Sequence, residues 1–448
     1  MKKVKLGTNR TRATNLTSIL FVSLFALNAC SPPVKPVNNT FTIAVIPDTQ
    51  NAIDYTRQTA EGFAIDSSDI FIEEMRHIAG RGTANGGDIV FVTSVGDVWQ
   101  HSTKAIDPAH DARGVTAIDN PFFADSVITH PQTLSIEIPT AIAGYQLIAD
   151  ADIPFGVAPG NHDYDAIWAV AKFPPNSDKS LESAQSTLAD RGTLHIGGLE
   201  NFRTAFGEDT DFFRNKSWYI DGFEGGGSSA QLFSAAGFQF LHFAFEMQPG
   251  DQVFTWAESI MSRYPNMPTI ISTHEYIDSR GQYSDSYFFQ FALADPNFNN
   301  SPKQLWQKFI RKHDQIFLVL CGHVLGQALR IDDNENGHKV YQILADYQER
   351  GQAGIDAGQP LNANRTSVGI GDGWFRELRF DLQWERPSIT VKTYSSHYQT
   401  YSSELTTYSK WYKKQEQPDM SDDEFYQADD YVIELTDFHQ RFKPVANP

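Results

Sequence analysis

Short apolar runs alternate with segments of helical spacing from residue 41 onwards, and this alternation constrains the fold more than any other feature. Six runs have the length and composition of buried strands, at 41–47, 88–95, 154–158, 238–245, 269–272 and 315–321. Four segments between them have the apolar spacing of helices, at 67–80, 141–150, 252–263 and 302–313. Strands and helices in this order predict an α/β protein with helices packed on the faces of a central sheet.

The later part of the chain has a different pattern. Runs at 340–345, 375–382 and 388–394 are strand-like, but no long helical segments separate them. Consecutive strands of this kind are expected to complete a second sheet. The predicted architecture is therefore a layered α/β fold, with a central β-sandwich flanked by helices.

Polar residues that can bind a metal or carry a proton follow five of the apolar runs. They are Asp48, Asp97, Asn161 with His162, His274, and His323. Glycine stands directly before three of these positions. Because ligands bind at the carboxyl edge of the strands in open α/β sheets, we predict that the five segments meet at one site. A lone Asp or His after a strand is more often a turn residue, but five in succession are hard to explain by turn chemistry alone.

The order of these motifs resembles that of the calcineurin-like metallophosphoesterases. The resemblance rests on Asp48-Thr49-Gln50, Gly96-Asp97, Gly160-Asn161-His162-Asp163, His274 and Gly322-His323, and it covers residues 41–394. The string at 371–376, Gly-Asp-Gly-Trp-Phe-Arg, is similar to a bacterial subgroup whose first motif also reads Pro-Asp-Thr-Gln. The resemblance implies a β-sandwich flanked by helices, with two metal ions at the carboxyl edge of its strands.

The resemblance also implies a role for each metal-binding residue. In a two-metal clamp, both ions bind the phosphoryl oxygens and generate a nucleophile near neutral pH. Asp97 would bridge the two ions, and Asn161, His274 and His323 would complete the second metal site. Asp48 would belong to the first metal site. The second site is therefore intact in this sequence.

The first metal site departs from the family pattern at two positions. Gln50 stands where most relatives have His, and Leu325 replaces the second His of the Gly-His-x-His motif. The carbonyl oxygen of Gln50 is a hard but weak ligand, whereas Leu325 donates nothing. Ligand softness predicts Mn, Mg or Ca at the first site, or no tight binding, and Zn, Mn or Fe at the second. One or two divalent ions are therefore expected.

Other residues are candidates for contact with the substrate. The resemblance places His162 next to the metals, where it would stabilise the phosphoryl group or protonate the leaving oxygen, with Asp163 orienting its imidazole. Arg350 and Arg376 are candidates for phosphate binding, because a guanidinium binds phosphate bidentately, although structural ion pairing is the commoner role of an arginine. His101 is a candidate replacement for a missing imidazole, although a loop histidine is more often solvated.

Residues 1–30 are predicted to be an export signal. Basic residues are followed by a short apolar run at 18–27 and by Leu27-Asn28-Ala29-Cys30. The ending resembles a bacterial lipobox, which implies lipidation of Cys30 and anchoring in the cell envelope, at the outer membrane or periplasmic face, through the lipid alone. An ordinary signal peptide cut near Ala29, with Cys30 incidental, is the alternative. Residues 31–40 are rich in Pro and Asn and suit a tether.

The remaining chain is predicted to form one domain and a tail. Residues 41–402 are assigned to the metallophosphoesterase-like domain, with long loop insertions at 101–137 and 172–206. Long insertions are often lids or binding loops, but decorative surface insertions are nearly as common. Residues 403–448 are charged and aromatic, and the sequence leaves open whether this tail packs or remains mobile.

The charge of the chain limits its partners. A formal net charge of −19 argues against general nucleic-acid binding, which requires basic surface. It allows a phosphorylated substrate, because bound ions dominate the field in a metal site. The predicted function is hydrolysis of a phosphomonoester or phosphodiester, either a phosphorylated small molecule or an envelope phosphoester. The alternatives are a degenerate lipoprotein that binds one metal with little catalysis, and a solute-binding lipoprotein, which leaves the motifs unexplained.

Overall fold

The computed structural model of the protein describes residues 39–118, 131–175, 192–284 and 289–445. The chain divides into two units, Met1–Val37 and Asn38–Pro448, and the described residues all belong to the second. The predicted export signal, Cys30 and most of the predicted tether lie outside the described residues. Residues 119–130 and 176–191, within the two predicted insertions, also lie outside them.

Strands and helices alternate along most of the described chain, as the sequence predicts. The strands are β1 (Thr40–Ile46), β2 (Ile89–Ser94), β3 (Ala117–Ile118), β4 (Phe155–Val157), β5 (Ala166–Val170), β6 (Leu194–Gly197), β7 (Tyr219–Phe223), β8 (Ser228–Ala235), β9 (Phe238–Ala244), β10 (Thr269–Ser272), β11 (Ile316–Cys321), β12 (Gly326–Asp333), β13 (Lys339–Asp346), β14 (Trp374–Asp381), β15 (Ser388–Ser395), β16 (Thr400–Tyr401) and β17 (Tyr431–Glu434). The α-helices are α1 (Gln50–Ile53), α2 (Ser67–Gly80), α3 (Ile138–Asp150), α4 (Glu200–Phe206), α5 (Asp251–Arg263), α6 (Phe291–Ala294), α7 (Pro302–Lys308), α8 (Gln352–Asp356), α9 (Tyr408–Glu416), α10 (Asp422–Gln427) and α11 (Phe438–Arg441).

Two mixed sheets of seven strands each form the centre of the fold, which confirms the predicted α/β class. The first sheet has the order β16-β15-β14-β1-β2-β4, and β17 also pairs with β15. The second has the order β12-β13-β11-β10-β9-β8-β7. Parallel pairing joins β1, β2 and β4 in the first sheet and β9, β10, β11 and β13 in the second. A third, small antiparallel sheet, β3-β5-β6, shares no strand with these two.

The two large sheets share one apolar core. The ring of Phe41 on β1 lies 5.5 Å from that of Phe240 on β9, and Phe91 on β2 stacks on Phe233 of β8 at 4.5 Å. Full burial of each such side chain contributes about 1.5–3 kcal/mol. Helices α2 and α3 cover the outer face of the first sheet, and α5 and α7 cover that of the second. Because the parallel strands are buried on both faces, they read as continuous apolar runs in the sequence.

The C-terminal segment is part of this fold. Strand β17 pairs with β15 through Ile433 and Ile389, and the side chains of Tyr408 and Tyr412 on α9 pack around Trp374 of β14. The sequence left open whether this segment packs or remains mobile. The described residues up to 445 pack against the rest of the fold. None of the helices within the described ranges combines the length and apolarity that crossing a bilayer requires.

Glu74 on α2 makes stability depend on pH. Its side chain is buried, its Oε1 has no hydrogen-bond partner within the described parts of the chain, and burial raises its pKa from 4.5 to about 8. Between these two pH values the folded state holds a proton that the unfolded state has lost. The free energy of unfolding is therefore expected to fall as pH rises through this window, by an amount on the order of a few kcal/mol, given about 1.4 kcal/mol per pKa unit.

Substitution of Glu74 tests this expectation. Glu74→Gln is expected to remove the part of the decline that Glu74 contributes and to raise the free energy of unfolding at pH 8 relative to wild type. Urea denaturation between about pH 5 and pH 9 measures the effect. Glu73→Gln, on the same helix but partly exposed, is the matched control and should leave the profile unchanged. A Glu74→Gln profile with the wild-type slope would contradict the assignment.

Candidate metal centre

The ends of six parallel strands bring polar side chains together at one edge of the fold. Each strand either ends in such a residue or is followed by one within four positions. After β1, β2, β4, β10, β11 and β13 these residues are Asp48, Asp97, Asn161, His274, His323 and Asp346. All are buried except His323, which is partly buried. As predicted, the five motifs meet at the carboxyl edge of the strands.

Four residues are predicted for the second metal site, and three of them surround the Nε2 atom of the fourth, His274. This atom lies 3.2 Å from Asp97 Oδ1, 3.1 Å from Asn161 Oδ1 and 3.1 Å from His323 Nδ1. The other ring nitrogen, Nδ1, donates a hydrogen bond to the carbonyl of Val95 at 3.0 Å. That bond fixes the ring so that Nε2 faces the other three side chains. Ligand atoms of Asp97, His274 and His323 lie within 4.8 Å of one another, so the group can hold a metal ion.

The histidines of this group differ in their affinity for protons. Burial lowers the pKa of His274, but the charges of Asp97 and Asp48 outweigh it and raise the pKa to about 10. For His323, burial and the neighbouring charge of His274 lower the pKa to about 3. Burial opposes the ionisation of Asp97, but His274 and His162 hold its pKa well below the usual value. His274 therefore holds a proton in the position that a metal ion would take.

Oxygen atoms dominate the other half of the centre, at the predicted first metal site. Asp48 Oδ2 accepts the backbone N–H of His323 at 3.0 Å. The amide Nε2 of Gln50 donates to Asp97 Oδ2 at 3.1 Å and to the side-chain oxygen of Gln348. Burial and the charge of Asp346 raise the pKa of Asp48 well above its usual value. Burial likewise raises the pKa of Asp346 to about 8.

Three buried oxygens in this half have no hydrogen-bond partner among the described residues. They are Asp48 Oδ1, Gln50 Oε1 and Asp346 Oδ2. An unpaired buried acceptor costs roughly 1–3 kcal/mol, and more when it is charged. A divalent cation bound by these oxygens would remove that cost. The donor set therefore fits the hard cation that the sequence predicts for the first site.

Tight backbone approach explains the glycines that precede the ligands. A Cβ atom on Gly160 would collide with the carboxylate of Asp97, and one on Gly322 would collide with that of Asp48. Two ligand residues also have left-handed backbone conformations that are uncommon outside glycine: Asp97 has φ 51° and His323 has φ 70°. Such strain persists only where the surroundings impose it, and it is concentrated at functional sites.

His162 lies at the rim of the centre, but Asp163 does not orient its imidazole as predicted. The backbone N–H of His162 donates to Asp97 Oδ1 at 2.9 Å, and its ring Nδ1 lies 2.5 Å from the carbonyl oxygen of Gln100. The side chain is 16% exposed, and its Nε2 lies 3.9 Å from Asp97 Oδ2. Asp163 is fully buried and accepts backbone hydrogen bonds, such as that from Val98 N–H at 2.8 Å. Asp163 therefore holds the two motif loops together, and Gln100 orients the ring.

Arg350 and Arg376 bind carboxylates of the C-terminal segment instead of lining the centre. Both guanidinium groups are buried. Arg350 Nε donates to Glu416 Oε1 at 2.7 Å, and Arg376 Nη2 donates to Asp429 Oδ1 at 2.5 Å. This is the structural ion pairing that the sequence named as the alternative to phosphate binding. The structure therefore does not support the prediction that Arg350 and Arg376 contact the substrate.

His101 belongs to a separate group and does not supply the missing imidazole. Its Nδ1 lies 2.7 Å from Glu137 Oε1, and the two residues form a buried cluster with Asp54 whose ligand atoms lie within 4.8 Å of one another. The cluster can hold a metal ion, but a backbone N–H and an arginine side chain already contact its carboxylates. The backbone N–H of Tyr55 donates to Glu137 at 3.2 Å, and Arg57 Nε lies 3.2 Å from Asp54 Oδ2.

Asp346 and Gln348 are the residues of the centre that the sequence reasoning missed. Asp346 directly follows the apolar run at 340–345, just as the predicted ligands follow theirs. The same rule applied to this run would have identified Asp346. Gln348 carries no comparable signal, because its contact with Gln50 joins positions far apart in the sequence.

Comparisons with known proteins leave the family open. No protein-family model matches the chain. The uncharacterized protein YvnB of Bacillus subtilis (strain 168) is 22% identical to this chain over 234 residues. The match covers 50% of this chain but only 16% of that protein. The relationship is too distant to assign a family.

The protonation of His274 predicts how metal affinity depends on pH. An ion must displace this proton, because a ligating imidazole is neutral. Between about pH 6 and pH 9, below the pKa of about 10, the affinity for Zn²⁺ or Mn²⁺ is expected to rise about tenfold per pH unit for each proton released. Isothermal titration calorimetry in buffers of different ionisation enthalpy measures both the affinity and the proton release.

Two variants make the calorimetry specific. His274→Ala is expected to lose both the high-affinity binding and the proton release. His338→Gln is the matched control, because His338 lies at the opposite end of β13 and its Nδ1 is 2.7 Å from Asp314. Metal binding whose affinity does not change with pH would contradict the assignment of His274 as a ligand.

Proposed function

We propose that this protein is a metal-dependent phosphoester hydrolase of the calcineurin-like metallophosphoesterase type. The observation that carries the proposal is the close grouping of Asp97, Asn161, His274 and His323, with the imidazole of His162 partly exposed beside them. Each of these residues belongs to the motif series that resembles the family. A group of this composition suits a divalent ion, and an exposed imidazole next to it suits proton transfer.

The architecture supports the same proposal. Two mixed sheets share a core and carry helices on their outer faces, which is the arrangement expected for a metallophosphoesterase-like fold. The centre lies where the parallel strands of both sheets end. Ligand binding at the carboxyl edge of parallel strands is general in α/β proteins, so the position alone does not identify the reaction.

The residues of the centre divide the proposed reaction between them. Divalent ions held there would supply Lewis-acid activation of the phosphoryl group and of the attacking water. Asp97 would bridge the two halves, since its carboxylate oxygens face His274 on one side and Gln50 on the other. His162 would contact the phosphoryl group or protonate the leaving oxygen through Nε2, since its Nδ1 is held by the Gln100 carbonyl.

A second candidate function is a binding module with one metal and little catalysis. The observation in its favour is the lack of an imidazole at Gln50 and Leu325, both assigned to the first metal site. Without a second ion, the centre would lose part of the charge stabilisation that a phosphoryl transition state needs. The two functions differ in turnover, which can be measured directly.

Hydrolysis of nitrophenyl phosphomonoester and phosphodiester substrates tests the proposal. The chain without residues 1–30 would be chelated and reloaded separately with Zn, Mn, Mg or Ca. Asp97→Asn is expected to abolish metal-dependent turnover. His162→Gln is expected to lower kcat by about 100- to 10,000-fold without changing the metal content, because it removes a proton donor and no ligand.

The control and the contrary outcome are specific. His338→Gln, far from the centre, should retain wild-type turnover. If wild type binds one ion per chain but hydrolyses neither ester faster than Asp97→Asn, the binding-module function replaces the hydrolase. The preferred ester would also narrow the substrate to monoesters or diesters.

We also propose that the protein is anchored in a bacterial cell envelope through a lipid on Cys30. Cys30→Ser is expected to move the protein from the membrane fraction to the soluble fraction and to abolish incorporation of a labelled fatty acid. Cys321→Ser is the control, because Cys321 is a buried free thiol on β11. Membrane association that persists in Cys30→Ser would favour the ordinary signal peptide.

A further inference from the structure

Asp346 is a buried carboxylate whose hydrogen bonds are incomplete. Its Oδ1 accepts the backbone N–H of Gln348 at 3.0 Å, whereas Oδ2 has no hydrogen-bond partner among the described residues. Asp372 is also fully buried and shows the contrast. Its two oxygens accept backbone N–H groups of α8, and the hydroxyl of Tyr412 donates to it at 2.7 Å. The side chain of Asp346 therefore lacks a partner that a comparable carboxylate in this fold has.

The open oxygen of Asp346 belongs to the metal centre. Asp346 interacts electrostatically with Asp48, Asp97 and His274. Two other open oxygens, Asp48 Oδ1 and Gln50 Oε1, lie in the same half of the centre. Three buried oxygens from two segments of the chain, with no hydrogen-bond donor to any of them among the described residues, form the kind of set that binds a hard cation.

The charge of this half of the centre also favours a bound cation. Asp48, Asp97 and Asp346 are three buried carboxylates. In the part of the chain that the structure describes, Asp48 and Asp97 form ion pairs only with histidines, and Asp346 forms none. Ionised together, the three carboxylates repel one another in a region of low dielectric constant. Buried charges are stable when they are paired or coordinate a metal.

Asp346 lies next to the loop that carries Leu325, where most members of the resembled family have a histidine ligand. Strand β13 pairs in parallel with β11, so both end at the same edge of the sheet. In the antiparallel pairing with β12, Asp346 is opposite Gly326, the residue directly after Leu325. The loop that carries Leu325 therefore passes beside Asp346. A carboxylate here can serve the site that lost its imidazole at Leu325.

We propose that Asp346 is a ligand of the first metal site, together with Asp48, Gln50 and Asp97, and that it replaces the imidazole missing at Leu325. The inference rests on the proposed function for the use of this centre. It gives the first site an all-oxygen donor set with three carboxylates, which selects Mg²⁺, Ca²⁺ or Mn²⁺ over Zn²⁺. The centre then holds two ions of different chemistry, a hard cation beside the ion bound by His274 and His323.

Metal stoichiometry tests the proposal without reference to catalysis. The mature chain would be dialysed against Zn²⁺ together with Mg²⁺ or Ca²⁺, and its metal content measured by mass spectrometry. Wild type is expected to hold one Zn²⁺ and one hard cation. Asp346→Asn is expected to keep the Zn²⁺ and to bind the hard cation about 100-fold more weakly or worse, because ligand charge sets this affinity.

Two further variants control the measurement. Glu137→Gln disrupts the separate cluster with Asp54 and His101, and it should keep both ions. Leu325→His combined with Asp346→Asn returns an imidazole to the first site, so it should restore a second ion with a preference for Zn²⁺ over Mg²⁺. Binding of a second ion by the double variant would also show that Asp346→Asn is compatible with folding, so that loss of the hard cation in the single variant reports on the ligand and not on misfolding.

The outcomes separate this proposal from the proposed function. Asp346→Asn that binds both ions with wild-type affinity would overturn the ligand role, whether or not the protein hydrolyses esters. Loss of the hard cation alone, with rescue by Leu325→His, would establish the ligand role even if no ester were hydrolysed. In that case only the proposed hydrolase would fail.

Discussion

The carboxylate of Asp97 is the contact on which the whole metal centre depends. One oxygen accepts the backbone N–H of His162 and faces Nε2 of His274, and the other accepts the side-chain amide of Gln50. Its backbone carbonyl also accepts the N–H groups of Thr49 and Gln50, at 3.0 and 2.9 Å. A single residue in a strained conformation therefore ties together loops from both sheets. Since these loops carry the candidate ligands, the geometry of both halves of the centre follows from the position of Asp97.

The buried carboxylates of the centre have fewer partners than is usual in a protein interior. Buried carboxylates normally have hydrogen-bond donors or a cation as partners, and Asp163 and Asp372 follow this rule. The candidate metal centre instead gathers three carboxylates, two of them with an open oxygen, and its ion pairs among the described residues are with histidines. The rest of the fold must provide the stability that this arrangement costs. The large aromatic core between the sheets, with close pairs such as Phe91 and Phe233, is where that stability arises.

The sequence predicts most of the centre because its candidate ligands obey a local rule. Each ligand follows an apolar run, so strand prediction and residue type together locate Asp48, Asp97, Asn161, His274 and His323. The contacts that it does not predict join residues far apart in the chain, without a local signal. Arg350 pairs with Glu416 and Arg376 with Asp429, and neither pairing has a pattern that could be read from the sequence. The same applies to the role of Asp163, because backbone donors leave no trace in residue types.

The position of β1 in its sheet has a consequence for the order in which the chain can fold. One edge of β1 pairs with β2, which follows soon after it, but the other edge pairs with β14, from Thr40 opposite Asp381 to Val45 opposite Arg376. A nascent or truncated chain that ends before β14 would leave the backbone groups along that edge exposed. An open edge on so apolar a strand is a template for pairing with another molecule. Chains that lack β14 are therefore expected to be prone to aggregation, whereas β14 covers this edge of β1 in the structure.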